Sequence, residues 1–151
     1  MLAPFAEGCS GLDKSSAARP GAPSCVLLAD RHHRLNEGVR GLLETVFSSV
    51  FMVADQGSLM EGAQRLSPAL VVVDVSLSSG DIDGLIHAIR DRAPAAKLLL
   101  LSVHDEATVA AAAFAAGADG LVLKRSIATD LLPAVDALLA GGRYQSPAGP
   151  H

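Results

Sequence analysis

Four polar residues lie at the ends of short apolar runs in the sequence: Asp30, Asp74, Ser102 and Lys124. A carboxylate can act as a nucleophile when its electrophile is held in place. A second carboxylate helps to hold a hard cation such as Mg²⁺, which prefers oxygen ligands. A hydroxyl and an ammonium can bind the remaining oxygens of a phosphoryl group. If the fold brings them together, these side chains predict phosphoryl transfer to an aspartate.

Each of the four residues also has an ordinary structural explanation. Asp30 could cap the helix that follows it, and Asp74 could form a turn. A single Ser102 is usually a cap, and a single Lys124 is usually solvated. Taken one at a time, these explanations are the stronger ones. Taken together, four suitable residues at four strand ends are difficult to explain as coincidence, which favours a shared site.

The elements that must position these residues alternate along the chain. Strands are expected at 25–29, 50–54, 69–73, 97–102 and 121–123. Apolar residues at helical spacing predict helices over 35–46, 58–66, 82–89 and 105–116, and a last helix from Thr129 or Asp130 to Ala140. Asp81 and Asp83 are expected to cap the third helix, and Pro133 is expected in or just after the first turn of the last one.

The predicted strands are continuously apolar rather than alternating, which is typical of a parallel sheet covered by helices on both faces. Short connections fit right-handed crossovers. The sequence therefore predicts an α/β domain, a doubly wound five-stranded parallel sheet with five helices. Functional sites of such sheets form beyond the carboxyl ends of the strands, so the four polar residues are expected to meet on one rim.

Composition narrows the classes of function. The chain has 151 residues, 50% of them apolar, and a formal net charge of −4, a poor match for bulk binding to nucleic acid or anionic lipid. No apolar run approaches the ~18 residues of a membrane span, and the N-terminus lacks a secretory pattern, so a cytoplasmic protein is expected. Residues 1–24, rich in Gly, Pro, Ser and Ala, predict a flexible leader. The domain is expected over 25–141, with a short tail at 142–151.

The stretch from Cys25 to Ser146 resembles the receiver domain of response regulators in two-component signalling. The resemblance rests on four motifs: Leu-Leu-Ala-Asp at 27–30, Val-Val-Val-Asp at 71–74, Leu-Leu-Ser-Val-His-Asp at 100–105 and Ala-Gly-Ala-Asp-Gly-Leu-Val-Leu-Lys at 116–124. Gly-Gly-Arg-Tyr-Gln-Ser-Pro at 141–147 looks like the segment after the receiver in LuxR/NarL-type regulators. The resemblance implies a flavodoxin-like, CheY-like receiver fold.

The resemblance also implies roles for single residues. Asp74 would be the phosphoacceptor, which takes a phosphoryl group from a histidine kinase or a phosphotransfer protein in a phosphorelay. Mg²⁺ would be held by Asp30, Asp74 and the backbone carbonyl of Ser76. Ser102 and Lys124 would bind the phosphoryl group. Catalysis would be limited to self-phosphorylation and self-dephosphorylation.

The sequence departs from the family pattern at several positions. Arg31 stands where the family has a second acidic residue that binds the metal, and a guanidinium cannot coordinate a cation. Mg²⁺ binding should therefore be weakened, although Arg31 could neutralise Asp74 or grip a phosphoryl group itself. Leu121 occupies the position of the aromatic switch residue. Ser78 and Ile82 replace a proline and a glycine that are common in the loop after the phosphoacceptor.

Three functions stay open on the sequence alone. The favoured one is a stand-alone receiver that signals through protein contacts with an unknown downstream protein, or as a homodimer, with no direct nucleic-acid binding and no membrane contact. The alternative is a degenerate receiver, a protein-interaction module that needs no phosphate. A flavodoxin-like hydrolase or nucleotide binder is the third, but no glycine-rich phosphate loop is present.

Overall fold

The computed structural model describes residues 25–31, 33–103 and 107–146. The leader expected over 1–24, the expected start of the fourth helix at Asp105 and the last residues of the expected tail lie outside these ranges. Within them, no helix is both long and apolar enough to cross a membrane.

The centre of the fold is a parallel sheet of six strands. They are β1 (Cys25–Ala29), β2 (Ser49–Val53), β3 (Leu70–Asp74), β4 (Lys97–Ser102), β5 (Gly120–Leu123) and β6 (Tyr144–Gln145). The spatial order is β2-β1-β3-β4-β5-β6, and every neighbouring pair is parallel. Strand order reverses between β1 and β3, which is where a doubly wound sheet opens its crevice.

Five helices connect and cover the sheet. They are α1 (His33–Leu43), α2 (Gln56–Leu66), α3 (Ile82–Arg92), α4 (Ala107–Ala116) and α5 (Ile127–Leu139). Short 3₁₀ turns at Val75–Ser78 and Lys124–Ser126 follow β3 and β5. The predicted doubly wound architecture is confirmed, with β6 as an addition that the sequence did not predict.

The core forms two layers, one on each face of the sheet. On one face α2, α3 and α4 pack their apolar residues against alternate strand residues such as Leu27, Val71 and Leu100. On the other face α1 and α5 pack against the intervening residues, among them Leu28 and Leu99. Both faces of the central strands are therefore buried, which explains why their sequences are continuously apolar.

Helix ends follow local hydrogen bonding. The Asp81 carboxylate accepts the backbone N–H of Gly84 at 2.9 Å and caps α3, as predicted. Asp55 caps α2 in the same way through the N–H of Ser58. The last helix begins earlier than expected, because the 3₁₀ turn after β5 runs directly into it. Pro133, expected in or just after the first turn, lies inside α5, which begins at Ile127.

The segment after α5 packs onto the edge of the sheet. Tyr144–Gln145 pairs with β5, and the backbone N–H of Ser146 donates to the carbonyl of Leu121 at 2.9 Å. The buried Ser146 hydroxyl accepts the N–H of Leu123 at 3.1 Å and donates to Asp130 at 2.7 Å. Residues expected to form a tail thus hold the strand that leads to Lys124.

Candidate functional site

The carboxyl ends of four neighbouring strands bring the predicted residues together. Asp30 directly follows β1, Asp74 ends β3, Ser102 ends β4 and Lys124 follows β5. Asp30, Asp74 and Ser102 are at most 2% exposed, and the side chain of Lys124 is 10% exposed. The predicted meeting of these residues on one rim is confirmed. The explanation of Lys124 as a solvated surface lysine is wrong.

The Lys124 ammonium bridges the two buried carboxylates. Its Nζ lies 2.8 Å from Oδ2 of Asp74 and 3.4 Å from Oδ2 of Asp30. Two carboxylates this deeply buried repel each other and lose their hydration, and the ammonium between them offsets part of that cost. Lys124 therefore holds the site together as well as supplying a positive charge to it.

The turn after β3 fixes the carboxylate of Asp74. The backbone N–H of Ser76 donates to Oδ1 at 3.1 Å, and the Ser76 hydroxyl donates to Oδ2 at 2.7 Å. Burial raises the pKa of Asp74, but the hydrogen bonds from Lys124 and Ser76 and the Lys124 charge outweigh it, so the pKa lies below its ordinary value. Asp74 is therefore ionised at neutral pH, the state that a nucleophile needs.

A cavity of about 480 Å³ opens directly over Asp74. Its walls come from the end of β3, the turn that follows, the start of α3 and the ends of β4 and β5; they comprise Asp74, Val75, Ser76, Ser78, Gly80, Ile82, Ser102, Val103 and Lys124. The cavity contains the predicted nucleophile, hydroxyl and ammonium together. It is large enough for a small anionic group.

Arg31 lies at the rim of this site. The side chain is exposed, and its Nη2 donates to the backbone carbonyl of Ser76 at 3.3 Å. Receivers generally bind Mg²⁺, and the resemblance assigns this same carbonyl oxygen to the metal. Here a cationic group already contacts it. Within the described ranges, no cluster of three His, Cys, Asp or Glu side chains could hold a metal ion. The Arg31 guanidinium on the Ser76 carbonyl and the Lys124 ammonium between the two buried carboxylates already contact the oxygens that a metal would need. Because both groups are positively charged, the residues present do not fit a divalent metal.

Leu121, at the switch position, is 2% exposed and belongs to the core on the α3 and α4 face. It pairs in register with Leu100, and its carbonyl accepts the N–H of Ser146. An aliphatic side chain fixed in the core has no aromatic ring to reorient toward Ser102. Ser78 and Ile82 stand where the family commonly has a proline and a glycine. Ser78 is buried, and both residues line the cavity.

Sequence reasoning missed the side chain of Ser76. Only its backbone carbonyl was expected to take part, yet its hydroxyl and N–H both donate to Asp74. The signal was present, because an aspartate two residues before a serine at the start of a turn is a typical capping pattern. A second contact had no comparable local signal. The side chain of Gln56, at the start of α2, donates from Nε2 to the carbonyl of Leu77 in the turn after β3, at 2.6 Å.

Comparison with known proteins gives a consistent result. The family model described as the response regulator receiver domain matches residues 26–136. The transcriptional regulatory protein DegU of Brevibacillus brevis is 30% identical over 131 residues, which cover 83% of this chain and 54% of that protein. This chain thus spans about half the length of that curated relative.

Solved structures show the same fold. A LuxR-family two-component response regulator from Aurantimonas is 34% identical, with a TM-score of 0.75 over 82% of this chain and 89% of that one. RcsB from Salmonella enterica, solved bound to a promoter, is 26% identical, with a TM-score of 0.70 over 82% of this chain and 63% of that one.

These relatives correct one prediction. The sequence predicted no direct nucleic-acid binding, a prediction supported there by its net charge of −4. That expectation is wrong, because the matched relatives include transcriptional regulators and a protein solved on DNA. The net charge of −4 belongs to this chain alone, whereas DegU extends well beyond the part that this chain matches. The charge of the matched part therefore does not decide whether such a regulator binds DNA. By its family match and its fold, the chain belongs to the response-regulator receiver family.

Proposed function

We propose that this chain is a two-component receiver that accepts a phosphoryl group on Asp74 from the phosphohistidine of a histidine kinase or phosphotransfer protein. One observation carries the proposal. The Asp74 carboxylate is buried, has a lowered pKa and lines a cavity that also contains Lys124 and Ser102. A buried carboxylate that stays ionised beside an ammonium and a hydroxyl suits a phosphoacceptor better than a structural cap.

The proposed reaction follows from this geometry. A carboxylate oxygen of Asp74 attacks the phosphorus of the donor. The new P–O bond forms as the P–N bond breaks, and the electron pair leaves with the imidazole nitrogen, which takes up a proton. Transfer of this kind depends mainly on positioning and on charge stabilisation. Ser76 holds the carboxylate in place, while Lys124 and the Ser102 hydroxyl stabilise the phosphoryl oxygens.

The output that we propose is the control of transcription, as in the regulators that this chain resembles. DegU is named as a transcriptional regulator, and RcsB has been solved on a promoter. The receiver itself extends in this proposal to Ser146, because β6 and Ser146 bind the edge of β5. The cytoplasmic location expected from the sequence is part of the same proposal.

The test is phosphorylation by acetyl phosphate, followed by intact-protein mass spectrometry. The wild type should gain the mass of one phosphoryl group, and Asp74→Asn should gain none. Asp83→Asn is the matched control, because Asp83 is an exposed carboxylate on α3 and should leave labelling unchanged. Labelling that persists in Asp74→Asn would overturn the assignment. So would a wild type that stays unlabelled with acetyl phosphate and with a panel of histidine kinases.

A second candidate is a receiver that works as an interaction module without phosphate. The contact between Arg31 and the Ser76 carbonyl favours it, because that contact removes a group through which a metal would assist transfer. This alternative would be established if the wild-type chain stayed unlabelled with acetyl phosphate and with histidine kinases, and still bound a downstream protein in the absence of phosphate.

A further inference from the structure

Arg31 and Asp74 are connected through one residue. The Arg31 guanidinium donates to the backbone carbonyl of Ser76, and the N–H and hydroxyl of Ser76 donate to the two oxygens of Asp74. A positive charge is thus placed against Ser76, one of the residues that line the cavity with the Asp74 carboxylate. The arrangement joins the ends of β1 and β3, the two strands at the switch point of the sheet.

Among the described residues of the site, the formal charges at neutral pH balance. Asp30 and Asp74 carry two negative charges, and Lys124 and Arg31 carry two positive charges. A divalent cation added to this set would leave two uncompensated positive charges in a largely buried site, which is unfavourable. A phosphoryl group, which carries about −1.5 to −2, would instead place its negative charge beside both cations.

The departure from the family pattern at position 31 changes the charge of the site by as much as a bound Mg²⁺ ion would. A carboxylate carries −1 and a guanidinium +1, so the replacement adds two positive units. The guanidinium also presents parallel N–H groups that fit phosphoryl oxygens in a bidentate manner. Its present contact is a single exposed hydrogen bond of 3.3 Å, which is weak enough to exchange for a charged ligand.

We propose that Arg31 is the resident cation of this site, and that Asp74 accepts its phosphoryl group without a divalent metal. In the reaction the guanidinium leaves the Ser76 carbonyl and binds two phosphoryl oxygens, opposite the ammonium of Lys124. This inference rests on the proposed function, since it concerns how the same site handles its substrate. It makes Arg31 a substrate-binding residue at a position where the family has a metal ligand.

Labelling by acetyl phosphate, with Mg²⁺ or with EDTA, tests the proposal in three variants. The wild type should be labelled at about the same rate in both buffers. Arg31→Asp should lose about tenfold or more in EDTA, the loss of a charge-assisted contact, and should recover with Mg²⁺. Arg31→Gln should be slow in both. Arg125→Gln is the matched control, because Arg125 is an exposed arginine beside Lys124 and should behave as the wild type does.

Calorimetric titration with Mg²⁺ alone provides a readout that does not depend on phosphorylation. The wild type should show no heat of binding, and Arg31→Asp should bind Mg²⁺. A wild type that binds Mg²⁺ and needs it for labelling would overturn the inference and leave Asp74 as phosphoacceptor. Failure of every variant to be labelled in either buffer, by acetyl phosphate and by the panel of histidine kinases, would overturn the proposed function, and with it the inference.

Discussion

Substitution of Lys124 by methionine removes a cation that contacts both buried carboxylates. Its Nζ lies 2.8 Å from Asp74 and 3.4 Å from Asp30, and methionine keeps the length of the side chain. Breaking a buried ion pair on one side costs about 3–5 kcal/mol, because the remaining charge is left uncompensated. At neutral pH we therefore expect Lys124→Met to lower the free energy of unfolding by about 3 kcal/mol.

Protonation sets an upper limit on this loss. The folded variant can escape the repulsion by binding one proton, which at pH 7 costs about 4 kcal/mol for a carboxyl group with an ordinary pKa near 3.9. At pH 5 the same step costs only about 1.5 kcal/mol. The difference between variant and wild type should therefore shrink as the pH falls.

The direction of the pH dependence follows from the pKa of Asp74. In the wild type this pKa is lowered, so the stabilising contribution is present above the ordinary pKa and lost as the pH falls through the folded-state value. In the variant burial is no longer outweighed by Lys124, and the pKa of a carboxyl group in the site rises. The penalty then grows as the pH rises through that raised pKa.

Urea unfolding followed by far-ultraviolet circular dichroism measures this effect. With a slope of about 2 kcal/mol per molar urea, the midpoint of Lys124→Met should fall by about 1.5 M at pH 7 and by about 0.7 M or less at pH 5. Lys97→Met is the control, because Lys97 is a half-buried lysine at the start of β4, away from the site. An equal loss at both pH values, or no loss at pH 7, would refute the role of Lys124 as the neutralising cation.

Further predictions concern the scaffold around the site. Gly38→Ala should raise the free energy of unfolding by about 0.5–1 kcal/mol, because its added methyl group meets open space on α1. Gly120→Ala should lower it by about 1–3 kcal/mol, because its methyl group would lie 2.9 Å from Leu99 Cδ1; equal effects in urea unfolding would contradict this packing. Ser146→Ala should cost about 1–2 kcal/mol and speed amide exchange at Leu123, which loses its acceptor. Unchanged exchange there would show that the segment after α5 does not hold β5.

The strands and the convergence of the site could be predicted because they depend on local patterns. Each of the first five strands is a continuous apolar run that ends close to a polar residue, and a parallel sheet then places those polar ends on one edge. β6 gave no such signal, since Tyr144–Gln145 is two residues long and half exposed. It forms because Ser146 binds the edge of β5 through tertiary hydrogen bonds.

The position of Arg31 could not be predicted from the sequence. Arg31 and Ser76 are 45 residues apart, and their contact depends on how β1 and β3 align and on the turn after β3. The sequence indicated only that a metal ligand was missing and that a guanidinium stood in its place. The start of α5 was missed for a related reason, since the 3₁₀ turn at Lys124–Ser126 continues into the helix without a capping side chain.

The phosphoacceptor role of Asp74 is tested most directly by trapping the acyl phosphate with borohydride, which reduces it to an alcohol. After treatment with acetyl phosphate, borohydride and protease, peptide mass spectrometry should find homoserine in place of aspartate at position 74. Asp30, which is also a buried carboxylate, should be unchanged. Homoserine at Asp30, or no reduced residue anywhere in a protein that carries a phosphoryl group, would contradict the assignment.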